Sequence, residues 1–87
     1  MPEPGSDLLT PVTALVAQVA DVPADGLDAR SRFTGFAHWS SLAALRLLTL
    51  IEERLQVRLD LREYFATEDL GGLTALVARG RNADVAP

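Results

Sequence analysis

Ser40-Ser41-Leu42-Ala43-Ala44-Leu45-Arg46-Leu47-Leu48-Thr49-Leu50-Ile51-Glu52-Glu53-Arg54-Leu55 is the stretch that decides the fold. It reads as a helix starting at Ser40 or Ser41, since serine at a helix start accepts a hydrogen bond from a first-turn N–H. At 100° per residue Ala44, Leu47, Leu48, Ile51 and Leu55 gather on one side, which is the core face. The opposite side carries Ser41, Leu42, Leu45, Arg46, Thr49, Glu52 and Glu53. Leu42 and Leu45 therefore sit among hydroxyls and charges. Either the helix is covered nearly all round, with a loop over its second side, or the two leucines form a small docking patch beside a serine. With two adjacent serines, one can cap while the other points to solvent.

Outward from this segment the chain reads as helices. Toward the N-terminus, Leu8, Val12, Leu15 and Val19 make one stripe flanked by Leu9 and Val16, predicting a helix over about Asp7 to Ala20. Pro11 belongs in a first turn, which places the start near Ser6 or makes a restart at Thr10. The connection from Asp21 to Trp39 holds the loop residues Pro23, Gly26 and Gly35. It also holds Val22, Leu27, Phe33 and Phe36, which such a long loop must pack onto helices. Beyond the central helix, Val57 to Asp60 reads as extended and Leu61 to Phe65 as a short helix burying Leu61, Tyr64 or Phe65. A last helix follows Asp69, a good N-cap, with Leu70, Leu73, Leu76 and Val77 inward and Gly80 placed as its C′ residue. The expected fold is all-α: a small four-helix bundle of three main helices and one short one. Residues 6–80 form the domain, with 1–5 and 81–87 as flexible tails.

Counting removes most chemistry. The 87 residues contain no cysteine and one histidine, His38, so disulfides, thiolate metal sites and a Ser-His-Asp centre lack their parts. At 48% hydrophobic and 23% charged residues the chain is a folded domain rather than a disordered one. Its size permits one domain with a thin core. Twelve acidic against eight basic residues give a net charge of −4 and a pI near 4.7. An acidic domain repels phosphate backbones and anionic membranes and is steered toward basic partner surfaces. All eight basic residues are Arg, the pattern of a GC-rich bacterial gene. With no apolar run of membrane length and no signal-peptide pattern, the expectation is a soluble cytoplasmic protein. His38 reads as a surface loop residue and Trp39 as packing on the loop or stapling the helix start. Glu63 and Tyr64 read as parts of a short amphipathic turn, and Gly71-Gly72 matches no phosphate-cradling motif.

The stretch Gly35-Phe36-Ala37-His38-Trp39-Ser40-Ser41-Leu42-Ala43-Ala44-Leu45-Arg46-Leu47-Leu48 resembles the modification motif of acyl and peptidyl carrier proteins, in which an Asp-Ser-Leu triplet opens helix two. Ile51 to Leu59 is similar to the family's acidic end of that helix and the turn after it. Leu61 to Phe65 is similar to its short third helix, and Asp69-Leu70-Gly71-Gly72-Leu73 to the opening of its fourth. The likeness spans residues 7–79 in the expected order and spacing. It implies that Ser41 carries 4′-phosphopantetheine, attached by a phosphopantetheinyl transferase, and that the chain is a non-catalytic carrier of an acyl or aminoacyl group. It implies that Leu42, Leu45, Arg46, Thr49, Glu52 and Glu53 touch partner enzymes that load and consume the cargo, with the glutamates meeting Arg or Lys. Ser40 stands where the family has Asp, the residue that helps the transferase recognise its substrate. Arg46 stands where fatty-acid carriers have an acid. The second difference moves the expectation to a discrete, monomeric carrier in bacterial polyketide or nonribosomal peptide biosynthesis. The first keeps open an unmodified, carrier-like docking module.

Overall fold

A computed structural model describes the backbone of residues 4–85 and the side chains of residues 8–81. The described residues form four helices: α1 over Pro4–Ala20, α2 over Ser41–Leu55, α3 over Leu61–Ala66 and α4 over Leu70–Val85. α1 packs against both α2 and α4, and α3 lies against α4. The core is the sum of the inward stripes. Val12 and Val16 of α1, Leu47 and Ile51 of α2, and Leu70, Leu73 and Val77 of α4 are all fully buried. Each such side chain contributes roughly 1.5–3 kcal/mol by leaving water. The expected all-α bundle is the observed one.

Helix ends follow local chemistry. Ser40 is the N-cap of α2, its Oγ accepting from the Ala43 N–H at 3.2 Å. Gln56, in the left-handed region at φ 56°, ends that helix where the sequence placed its end. Asp60 Oδ1 accepts from the Glu63 N–H at 3.0 Å and Asp69 Oδ1 from the Gly72 N–H at 2.8 Å, capping α3 and α4. These three caps supply partners to N–H groups that a helix start leaves without one.

The long connection between α1 and α2 holds two 3₁₀ turns, at Ala24–Gly26 and Phe33–Gly35. It is fastened to the start of α4 by a short antiparallel bridge between Arg32 and Asp69. There the Phe33 N–H donates to Glu68 O at 3.1 Å, the Leu70 N–H to Ser31 O at 3.0 Å and the Gly71 N–H to Ala29 O at 2.8 Å. An exposed ion pair between Arg32 and Glu68, 2.6 Å apart, runs alongside. Phe33 is the buried anchor of this loop, and Leu27, Phe36 and Trp39 are partly buried against the core.

Two sequence expectations change, at Gly80 and at Pro11. Gly80 does not end α4, which continues to Val85. A Cβ there would lie 3.1 Å from Leu59 Cδ2 and 3.2 Å from the Arg58 carbonyl, so the glycine admits the α2–α3 link instead. Pro11 lies inside α1, which begins at Pro4 rather than near Ser6 or at Thr10. In α3 only Tyr64 is buried, whereas Leu61 and Phe65 are exposed. The segments 1–5 and 81–87, expected as tails, coincide in part with helix at Pro4 and again up to Val85; residues 1–3 and 86–87 lie outside the described residues.

Candidate functional site

The site is built on the first turn of α2. Because Ser40 takes the capping role, Ser41 becomes the first helical residue and is exposed. Its hydroxyl has no hydrogen-bond partner among the described residues, while its neighbour's is committed to Ala43. No acidic residue lies in the first turn of α2. Ser41 Oγ therefore stands at the positive end of a helix, where an attached anion is favoured by the helix dipole and by first-turn N–H groups.

The approach to Ser41 is aromatic. Phe33 and Trp39 stack with ring centroids 5.3 Å apart, and Phe36 closes the cluster at 6.1 Å from Phe33 and 5.6 Å from Trp39. His38 sits in the left-handed region at φ 66° and turns the chain into α2. It is exposed, as the sequence reading placed it, and Trp39 packs on the loop. On one side of Trp39 an apolar cleft of about 200 Å³ is lined by Phe33, Ala44, Tyr64 and Phe65. Trp39 also borders a larger recess of about 360 Å³ that runs from Ala43 and His38 to the end of α1 and the turn after it at Val19–Val22.

Tyr64 connects α3 to this site. Its hydroxyl donates to the Ala44 carbonyl, and burial pushes its phenol well above the ordinary range, keeping it protonated as the donor. The sequence reading took Tyr64 as an ordinary turn residue and missed this role. The signal was faint: a six-residue helix that offers Leu61 and Phe65 as equally apolar alternatives.

The outer face of α2 is arranged as the wheel predicted. Leu42 is 68% exposed and Leu45 44%, which settles the choice between a covered helix and an open one. Arg46 and Glu53 are exposed, and Thr49 Oγ1 donates back to Leu45 O at 3.1 Å. Glu52 differs from a free surface acid. Its Oε2 accepts from the Leu59 N–H at 3.0 Å, holding the link to α3. Among the described residues no group of three His, Asp or Glu side chains is placed to hold a metal ion. No described helix is long and apolar enough to cross a membrane.

The family model described as "Phosphopantetheine attachment site" matches residues 10–77. The chain belongs to this phosphopantetheine-attachment family. The match runs from α1 through Val77 of α4 and so contains the whole arrangement around Ser41. Among solved structures, the solution NMR structure of holo acyl carrier protein from Geobacter metallireducens superposes with a TM-score of 0.75 at 22% identity, covering 91% of this chain and 93% of that one. That likeness establishes the fold. No curated protein sequence matches the chain.

As a member of the family the chain is a carrier for covalently attached 4′-phosphopantetheine and not itself a catalyst. Carriers of this kind meet phosphopantetheinyl transferases and the enzymes of their pathway. The residues present fit the group: an exposed, uncommitted hydroxyl at a helix N-terminus, with no acid in the first turn to repel a phosphate. When bound, the arm supplies a terminal thiol, which a chain without cysteine lacks, to hold an acyl or aminoacyl group as a thioester.

Proposed function

We propose that Ser41 is the attachment residue and that the chain is a discrete carrier of acyl or aminoacyl groups in bacterial polyketide or nonribosomal peptide biosynthesis, working as a cytoplasmic monomer. The observation that carries the assignment is the division of labour between two adjacent serines. Ser40 caps α2, and Ser41 presents a free hydroxyl. In this reading the outer face of α2, with Leu42, Leu45, Arg46, Thr49, Glu52 and Glu53, meets the transferase and the loading and condensing enzymes. Arg46, in place of the acid of fatty-acid carriers, supports a secondary-metabolite pathway over primary lipid synthesis. A flexible tether raises the effective concentration of its cargo at each partner.

The test is intact-protein mass after incubation with CoA and a broad-specificity phosphopantetheinyl transferase. A single phosphopantetheine addition that persists in Ser40→Ala and disappears in Ser41→Ala is the expected result. Addition that survives Ser41→Ala moves the site elsewhere. Ser40, standing where the family has Asp, favours one second reading, a docking module that is never modified. Absence of addition with every transferase tried would establish it.

A further inference from the structure

The start of α2 differs electrically from the other helix starts of this chain. A helix start leaves its first N–H groups without intrahelical partners and gathers about half a positive charge there. In α3 and α4 the cap is a carboxylate, Asp60 or Asp69, which accepts from an N–H and also opposes that charge. In α2 the cap is the Ser40 hydroxyl, which accepts from the Ala43 N–H but is neutral. Among the helix starts whose caps are described, that of α2 is the one without a carboxylate. The N–H groups of Ser41 and Leu42 find no acceptor among the described residues.

The surroundings do not make up for it. The chain carries twelve acidic residues, yet none lies between Asp28 and Glu52. That interval holds both serines, the first turn of α2 and the basic residues Arg30, Arg32, His38 and Arg46. Glu68 is paired with Arg32, and Asp28 Oδ1 accepts from the Arg30 N–H at 2.8 Å. Asp21 is the one acid that lines the recess bordered by His38 and Ala43. It is exposed and stands at the opposite end of that recess, just past α1.

We propose that the phosphodiester of the arm is the charge missing from this helix start: carried on Ser41, the first residue of α2, it completes the cap that Ser40 makes only in part, so that modification firms the first turn and stabilises the fold. The proposal rests on attachment at Ser41, the reading given above. Its consequence is a difference between two forms of one protein. The transferase meets an α2 whose start lacks a negative charge, whereas the enzymes that act later meet one whose start is complete.

The test is thermal unfolding of the unmodified full chain and of the modified chain, the latter identified by intact mass, at about 20 mM and about 500 mM salt. At low salt the modified chain is expected to melt about 2–6 °C above the unmodified one, with slower amide exchange at residues 41–44, and the gap should narrow at high salt. Ser40→Asp keeps a capping side chain and adds the carboxylate that α3 and α4 already have. It should raise the Tm of the unmodified chain by a similar amount and shrink the gap, because a second negative charge at the same helix end is repelled by the first. Asp21→Asn should leave the unmodified chain's Tm unchanged. Equal melting of the two forms at low salt, a gap indifferent to salt, or an unmodified Ser40→Asp chain no more stable than wild type overturns the proposal. So does a fall of about 2–6 °C in Asp21→Asn, which would mean that Asp21 already supplies the charge. Intact mass reports failure of attachment at Ser41, whereas unmodified Ser40→Asp needs no transferase and reports failure of the missing charge.

Discussion

Alkaline titration isolates a single hydroxyl in this protein. The chain has no lysine, no cysteine and one tyrosine, so between about pH 9 and 12 Tyr64 alone titrates; the α-amino group loses its proton near 8 and arginine stays charged. Tyr64 is 5% exposed and donates to the Ala44 carbonyl, and burial raises its pKa in the folded state. In the unfolded chain the phenol ionises near pH 10, so above that pH the unfolded state binds fewer protons than the folded one and stability falls as pH rises. The slope is about 1.4 kcal/mol per pH unit, or ~2 kcal/mol lost by about pH 11.5. Tyr64→Phe removes the titrating group and one buried hydrogen bond worth about 1 kcal/mol. The two stability curves should therefore cross. The wild type is ahead by ~1 kcal/mol at neutral pH, and the variant is ahead by a similar amount near pH 11.5. Urea unfolding followed by circular dichroism reads the difference as a midpoint shift, with phenolate absorbance appearing in the wild type only as it unfolds. Parallel decline of the two proteins above pH 10, or free ionisation of the folded wild type near pH 10, would refute the account of Tyr64 as a buried latch between α2 and α3.

Three further outcomes follow from the geometry. Ser40→Ala loses the α2 cap and should lower stability by about 1 kcal/mol, a fall in Tm of roughly 4–8 °C, whereas Ser41→Ala should stay within about 0.5 kcal/mol of wild type. Leu42→Asp, at an exposed crest, should leave thermal unfolding nearly unchanged, while Leu47→Ala, fully buried on the same helix, should cost about 2–5 kcal/mol. Gly71→Ala would place a Cβ 3.0 Å from the Ala29 carbonyl, whose bond to the Gly71 N–H pins the loop. Unfolding should show it destabilised, and amide exchange should rise across residues 29–33, while Gly35→Ala, with open space at its Cβ, should leave that exchange unaltered.

Where a reading depended on neighbours within one turn, the sequence was sufficient. The inward stripe of α2, the cap at Asp69 and the side of α2 on which Leu42 and Leu45 lie follow from periodicity and from a short side chain reaching its own backbone, whereas the start of α2 stayed open between Ser40 and Ser41 and Asp60 read only as the end of an extended link. Where a residue answers to a distant segment, the sequence was mute or misleading. Gly80 looks like a helix terminator and is a contact surface for Leu59 and Arg58, which arrive from the α2–α3 link. Glu52 looks like a free acid on a solvated face and is tied seven residues away to the Leu59 N–H. Which of Leu61, Tyr64 and Phe65 turns inward had no local answer, because a six-residue helix has too few turns to define a stripe. The choice was made by a carbonyl on another helix.

The sequence alone thus determined the four-helix class and the side of α2 on which Leu42 and Leu45 lie, because helix geometry converts spacing directly into direction. Tertiary structure decided that this side is open, that Ser40 caps while Ser41 is exposed, that Glu52 is tied to the α2–α3 link, and that Tyr64 joins α3 to α2. Hydrogen bonds between α2, the link and α3 exist only once the chain has closed on itself, and no spacing along the chain encodes them one by one.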